Sequence, residues 1–474
     1  MDNIDSSMSI SENRSGYTRN LKIFLFGITI ALIVGVAVGN LLTRPTLPAT
    51  RSDVSAPPVG EKPSITVMWA EWEPANDLRE LSREFTRETG IEVNVATEPW
   101  KTYQDVVFRE LDARGATYDL VVGDSQWLGR SSTAGHYVDL TRWVREHDVA
   151  ESMLPVTIEG YAEYPKGSDR HWAVPLEGDA VGFAFRKDLF EDPKEMKAFR
   201  LKYGYGLDTP KTWAQMKDIA EFFTRPKDDL YGLTIWTDTS YDGITGGLNS
   251  LLFSFGGAWG DQGTQRVKGI MNSKESIEAL EFYKGLMKYL PPDWKGKAYL
   301  EANGAHMTGR AAMTMNFFAF FPELVDPAKN PYADQTGFFA APEGPRGRFT
   351  ALGGQGISII SYSKKKEASL AFLEWLIRDD VQKRWAELGG FTCNKKVLAS
   401  KVFLDAAPFN PALAESLGML KDFWNVPEYA DLLKVSQKHW GEYINGTQPS
   451  AKTAMDRVAR DWENIFEYAG YYKE

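Results

Sequence analysis

The feature that most narrows the fold lies between Ser64 and Gly123. SITVMWA alternates Ile65, Val67 and Trp69 with smaller or polar residues, the period of a strand. Asn76 or Asp77 is placed to cap the next segment, where Leu78, Leu81 and Phe85 share one helical face and Gly90 supplies a stop. IEVNVAT reads as a second strand, about Trp100 to Arg114 as a second helix, and YDLVVG as a third strand. Strand, helix, strand, helix, strand at these lengths demands a parallel sheet with helices on its faces. Ligands of such sheets sit beyond the carboxyl ends of the strands. A carboxylate and an indole stand at two of those ends: Glu71, Trp72 and Glu73 after the first strand, and Asp124, Gln126 and Trp127 after the third.

At 474 residues the chain is too long for one ordinary core, and two lobes are expected. Lys plus Arg number 54 against 64 Asp plus Glu, a net charge of −10. That sign argues against a nucleic-acid partner. The single cysteine, Cys393, forbids an intrachain disulfide and a cysteine-based metal cluster. The five histidines are scattered without i, i+4 spacing, so no metal or other cofactor is expected.

Ahead of the folded part, residues 1–20 form a mainly polar lead, a cytoplasmic segment or the n-region of a signal, and residues 21–42 form an apolar run with one charge, Lys22, near the start. About 20 such residues cross a bilayer as a helix. Arg14, Arg19 and Lys22 favour a cytoplasmic N-terminus, a contrast weakened by Arg44 and Arg51. The run is either a membrane anchor or a signal segment cleaved near Ala37–Gly39; both readings place the body outside the cytoplasm, in a periplasmic setting. Residues 43–63, with five prolines among Ser, Thr and Ala, read as a linker.

Downstream, Ala173 to Phe190 reads as an extended crossing segment and Thr212 as the cap of a helix through Phe223. YGLTIW, the run GRAAMTMNFF and the run FTALGGQGISII read as further strands. Gly256–Gly257 ends a helix, Ser273 caps another, and Ser363 to Glu474 is mainly helical. Trp213 and Trp375 are assigned to the apolar faces of their own helices.

The order of these landmarks resembles the extracellular solute-binding proteins of ABC importers, of the maltose-binding type. The resemblance is carried by YDLVVGDSQWLG, VPLEGDAVGFAFRKDLF, TPKTWAQMKDIAEF, FSFGGAWGDQ, SIEALEFYKGL, TGRAAMTMNF, APEGPRGRFTALGGQGISI and KKKEASLAFLEWLIRDDVQKRW, over about Ser64 to Glu474. It implies an α/β, two-lobed periplasmic binding protein fold, each lobe a mostly parallel sheet flanked by helices, with the solute held in the cleft. The implied N-terminal lobe is 64–182 plus 297–350 and the C-terminal lobe 183–296 plus 351–474, with crossings near Gly182, Lys297 and Leu352. It implies a monomer that delivers its solute to ABC permease subunits and is no enzyme. The strand after AAMTMN and the Gly-Gly turn before GISI contribute to the cleft in that family, which carries over to Asn316, Phe317, Gly353, Gly354 and Gln355. Tyr429, in WNVPEYADLL, matches the late aromatic of the second lobe's wall.

A sugar or polyol needs a hydrogen-bond partner for every hydroxyl that leaves water, and a flat apolar surface for its C–H faces. Trp72, Trp127, Trp236, Trp259 and Phe317 offer the surface. Glu71, Glu73, Asp124, Glu177, Asp179 and Asp238 offer acceptors, and Gln126, Asn316 and Gln355 offer amides. A strand-end tryptophan is as readily a packed corner as a platform. Acids between aromatic rings also suit a cationic amine. A membrane-anchored solute sensor or scaffold is a further alternative.

Overall fold

The computed structural model describes residues 63–421 and 423–472. The expected segments 1–20 and 21–42, and 43–63 apart from Pro63, lie outside the described residues. Among the described residues no helix is long and apolar enough to cross a membrane.

The first sheet is built as its sequence demands. Strand β1 (Ser64–Ala70) lies between β2 (Glu92–Glu98) and β3 (Leu120–Asp124), parallel to both. Helices α1 (Glu73–Thr89) and α2 (Trp100–Asp112) make the crossovers. Ile65, Val67 and Trp69 are fully buried, as are Leu78, Leu81 and Phe85 of α1. Gly90 ends α1 at φ +76°, its N–H returning to the Thr86 carbonyl. The helix starts earlier than Asn76 or Asp77 would set it. Pro74 sits in its first turn, where a fixed φ is an advantage and the missing N–H costs nothing. Glu73 stands there too, favoured by the positive end of the helix dipole.

Two further strands join this sheet. Strand β4 spans Val174–Glu177 and β5 spans Val181–Arg186; β6 is Met313–Phe317, β7 Thr336–Ala340, β8 Thr350–Ala351, β9 Gln355–Ile359 and β10 Leu420–Lys421. The order is β2-β1-β3-β9-β4, with β9 antiparallel to both β3 and β4. The second sheet, β6-β5-β7, is antiparallel at both pairings. A mostly parallel arrangement therefore holds for the first three strands and not for the second lobe's ladder. Parallel contact there includes the short β8–β10 pair and the single bridges Tyr231 to Ala311 and Thr234 to Thr314. The expected strand YGLTIW is reduced to those bridges because Gly232 gives its N–H to Thr224 Oγ1 instead of to a ladder.

The buried apolar residues form two cores. One gathers residues within 65–180, 318–324 and 352–420; the other gathers residues within 181–317, 339–351 and 423–466, with Ala184 alone packing on the first. The chain thus crosses five times, at Ala180–Val181, at Phe317–Phe318, between 324 and 339, at Ala351–Leu352 and between 420 and 423. None of these crossings lies near Lys297, where one was expected. Ala302, Ala305, Met313 and Met315 are buried in the second core, and the Lys297 carbonyl accepts the Thr237 N–H, so 297–317 stays with that lobe. Residues 352–420 return to the first lobe because β9 is inserted between β3 and β4. Phe372 and Trp375 pack there against Phe85 of α1. Trp213 is buried in the second core.

Candidate functional site

Strand β3 ends where the two cores meet. Gly123 leaves room for the Trp127 ring to fold back over the strand, since a Cβ there would lie 3.0 Å from that ring. The turn Ser125–Trp127 then sets Gln126 and Trp127 beside Asp124. Directly across the ladder, Asp124 pairs in register with Gln355 of β9, and Gln355 pairs with Glu177 of β4 past a bulge after Pro175. The three side chains therefore share one row at the sheet's edge. The Gln355 amide bridges two neighbours: it donates to Asp124 Oδ1 and accepts from the Trp69 indole N–H.

The second lobe supplies the facing wall. Asp238 and Ser240 tighten a turn in which Tyr241 adopts φ +42°. Gln437 pins that turn through the Ser240 and Tyr241 carbonyls. The Tyr241 hydroxyl crosses to the first lobe. It donates to Asp124 Oδ2 and accepts from Gln126 Nε2 at 2.9 Å and Trp127 Nε1 at 3.2 Å. Next to it, Asp242 accepts from the Tyr299 hydroxyl at 2.5 Å.

Aromatic rings continue from one lobe to the other. Trp127 meets Tyr103 at 5.3 Å, Tyr103 meets Trp100 at 5.9 Å, and Trp100 meets Trp72 at 4.9 Å. Trp72 touches Phe320 at 6.0 Å, and Phe320 stacks on Tyr299, which meets Trp236 at 4.8 Å. Phe317 lies against Trp236 and Tyr299. The indole N–H groups of Trp72, Trp100 and Trp236 are buried without a hydrogen-bond partner.

Four carboxyl groups are buried around this junction, and burial raises all of them. Asp124 is pushed up to about 6 against the pull of its bonds from Tyr241 and Gln355. Asp242 is pushed up to about 7, offset by the Tyr299 bond and reinforced by the charge of Asp124. Glu177 rises well above the usual carboxylate range through burial, then through Asp179 and Asp124. Asp179 rises through burial, opposed by the backbone N–H groups of Ala180 and Ala319.

Those N–H groups make Asp179 a clasp for the crossing strands. Its carboxylate accepts from Ala180 at 2.7 Å and Ala319 at 3.3 Å, and its carbonyl accepts from Gly353 at 3.1 Å. Gly354, at φ +86°, lets the same knot close, since a Cβ would fall 2.3 Å from the Glu177 carbonyl.

Of the residues singled out in the sequence, Trp72, Asp124, Gln126, Trp127, Glu177, Asp179, Trp236, Phe317, Gly353, Gly354, Gln355 and Tyr429 lie at this junction or on its walls. Gln126, Trp127 and Tyr429 line a cavity of only about 10 Å³, scarcely room for one water. A broader hollow of about 410 Å³ lies elsewhere, around Lys211, Arg348 and Glu415.

Others depart from expectation. Glu71 and Glu73 are exposed, because α1 begins at Glu73 and turns both outward; Glu73 pairs with Lys329 at 3.6 Å. Trp259 is a core residue, packed against Tyr429, Phe423 and Trp462 and donating to Asn249 at 2.8 Å. Asn316 is consumed within its own lobe by the Tyr299 carbonyl, Asn303 and the Phe317 N–H. Asp238 braces the Tyr241 turn. Sequence reasoning missed Tyr241, Asp242, Tyr299, Phe320, Trp69 and Trp100. The Ser240–Gly243 stretch SYDG carries a turn signal that marks Tyr241 as presented from a loop.

This fold recurs in known proteins. The chain is 21% identical over 411 residues, 83% of its length and 87% of the relative's, to the Sinorhizobium fredii protein named Probable amino-acid ABC transporter periplasmic-binding protein y4oP. It superposes with a TM-score of 0.72 on an ABC transporter solute-binding protein of Agrobacterium radiobacter in complex with ribitol, at 23% identity, covering 85% of this chain and 99% of the other. A maltose-bound protein of T. maritima gives the same TM-score, identity and coverage. At that identity the two structures speak for the fold alone, α/β and two-lobed. The model of the bacterial extracellular solute-binding proteins matches residues 69–383, and the chain belongs to that family.

Proposed function

We propose that the chain binds a small polyhydroxylated solute, a sugar or polyol, between its two lobes and delivers it to an ABC-type membrane permease. The observation that carries this reading is the seat of the Tyr241 hydroxyl. A hydroxyl from one lobe is held by a carboxylate, an amide and an indole of the other. A solute hydroxyl has the same capacity to donate and accept, and it would compete for the same three partners. The continuous aromatic wall supplies faces for C–H groups, and its unpaired indole N–H groups supply donors. The solutes named for similar proteins, ribitol and maltose, are of this chemical type. Opening about the crossings admits the solute, and contacts made only in the closed form drive closure.

In this reading every buried acid has a binding or clasping role and none acts in catalysis, and the protein works as a monomer. The body is exported and periplasmic. Residues 21–42 either hold it at the inner membrane, where it would also serve a sensor or scaffold, or are removed; the mass of the mature N-terminus distinguishes the two. Isothermal titration of the full-length chain against ribitol, mannitol, glucose and maltose tests the main reading. We expect at least one to bind with a Kd of about 1 μM or tighter, and Asp124→Ala to weaken it by at least ~10-fold. Heat from a bare diamine such as putrescine, with none from any polyhydroxylated compound, would sink it.

A further inference from the structure

We propose that the solute of this cleft carries a protonated amine as well as hydroxyls, as an amino sugar or amino polyol does, and that Glu177 is the carboxylate that pairs with it. The inference rests on the reading that a polyhydroxylated solute is held between the lobes.

The argument is an account of donors and acceptors. Asp124 is satisfied by Tyr241 and Gln355, Asp242 by Tyr299, and Asp179 by two backbone N–H groups. Glu177 is different. It is 0% exposed, and neither of its carboxyl oxygens has a hydrogen-bond partner. Its register with Gln355, and that of Gln355 with Asp124, sets it in the row that faces the other lobe's Tyr241. Buried polar groups in native proteins are almost always paired, and an orphan calls for an explanation.

A bound proton does not explain it. A protonated Glu177 would be a buried O–H donor with no acceptor. A neutral hydroxyl would satisfy one oxygen and leave the charge. A protonated amine satisfies both, because it brings several N–H donors and the charge together. No Lys, Arg or His figures among the charges acting on Asp124, Glu177, Asp179 or Asp242, so no described side chain already supplies that cation. A metal ion is a poorer fit: among the described residues no three His, Cys, Asp or Glu side chains are arranged to hold one. The aromatic wall reaches this place. The Phe317 ring lies close to Gly353, whose neighbour Gly354 packs on the Glu177 carbonyl. Such rings attract a cation as well as a C–H face.

The test uses matched pairs on the full-length chain at pH 7.5: glucose with glucosamine, and mannitol with 1-amino-1-deoxymannitol, each titrated calorimetrically, with putrescine as the amine lacking hydroxyls. We expect an amine to bind at least ~10-fold more tightly than its parent. Glu177→Gln should erase that preference, so that amine and parent bind within about 3-fold of each other, and the variant's circular dichroism and urea unfolding transition show that it is folded. Equal affinity for amine and parent in both pairs would overturn the inference and leave the polyol reading standing. So would a preference that survives Glu177→Gln. Binding of putrescine alone would instead remove the polyol reading, and with it the amino-sugar assignment. Should the variant not fold, the matched pairs on the unaltered protein decide the matter.

Discussion

At the scale of single residues, Tyr241 bears the closest inspection. Its hydroxyl joins the lobes through three buried partners, so removing it leaves one acceptor and two donors unmatched. Tyr241→Phe should lower the stability of the free protein by about 1–2 kcal/mol, read by urea unfolding. It should also tighten solute binding by roughly 5-fold, because the solute no longer has to displace a competing hydroxyl. A drop in affinity would mean instead that Tyr241 contacts the solute directly. The sequence shows half of this arrangement. Asp124, Gln126 and Trp127 are legible because a buried strand running out at Gly123 marks a rim. Tyr241 is not, because its role exists only once a loop more than a hundred residues away faces that rim. Trp259 shows the opposite error. A glycine pair followed by an indole looks like a platform until Phe423, Tyr429 and Trp462, far along the chain, enclose it.

At the scale of elements, the crossings are where the chain passes from one core to the other. The glycines of β9's approach differ in what they tolerate. Gly354 has φ +86° and would bring a Cβ to 2.3 Å from the Glu177 carbonyl and 2.4 Å from the Tyr161 hydroxyl. Gly353 would instead press on the Phe317 ring at 2.7 Å, and a ring can shift where backbone cannot. Gly354→Ala should therefore cost at least ~2 kcal/mol through strain and clash, and Gly353→Ala clearly less, compared by urea unfolding. Equal costs would show that the knot around Asp179 is softer than its contacts imply. The elements themselves are largely legible. The caps at Thr212 and Ser273 and the stops at Gly90 and Gly256 stand where the residues set them. Their allocation to lobes is less so. Periodicity marks β6 as a strand, but only its pairing with β5 shows that the chain leaves the second lobe at Phe317 and not near Lys297.

For the whole molecule, a set of buried acids makes stability depend on pH in an unusual sense. Asp124 titrates near 6 and Asp242 near 7, Asp77 is likewise raised to about 7, and burial lifts Glu177 and Asp179 as well. Unfolded, such groups lose their protons near pH 4. Between there and about 7 the folded protein holds protons that the unfolded chain has released, so stability falls as pH rises. Histidines oppose this at lower pH. Burial depresses His136, His171 and His306, the last to about 3, so acidification below about 6.5 favours the unfolded chain, which binds those protons. Above about 6.5 the unfolded histidines are already neutral and the opposition ends, leaving the acids to dominate. Each net proton released over one pH unit is worth about 1.4 kcal/mol, so Tm should drop by about 5 °C between pH 6 and pH 8. Glu177→Gln should flatten that slope, because it removes a buried group that must ionise. A cation seated on Glu177 should do the same, because it favours the ionised form; added glucosamine should then raise Tm more at pH 8 than at pH 6. A Tm that is level or rising over this interval in the free protein would mean that water reaches these carboxyls, and the case for a charged partner at Glu177 would lose its physical ground.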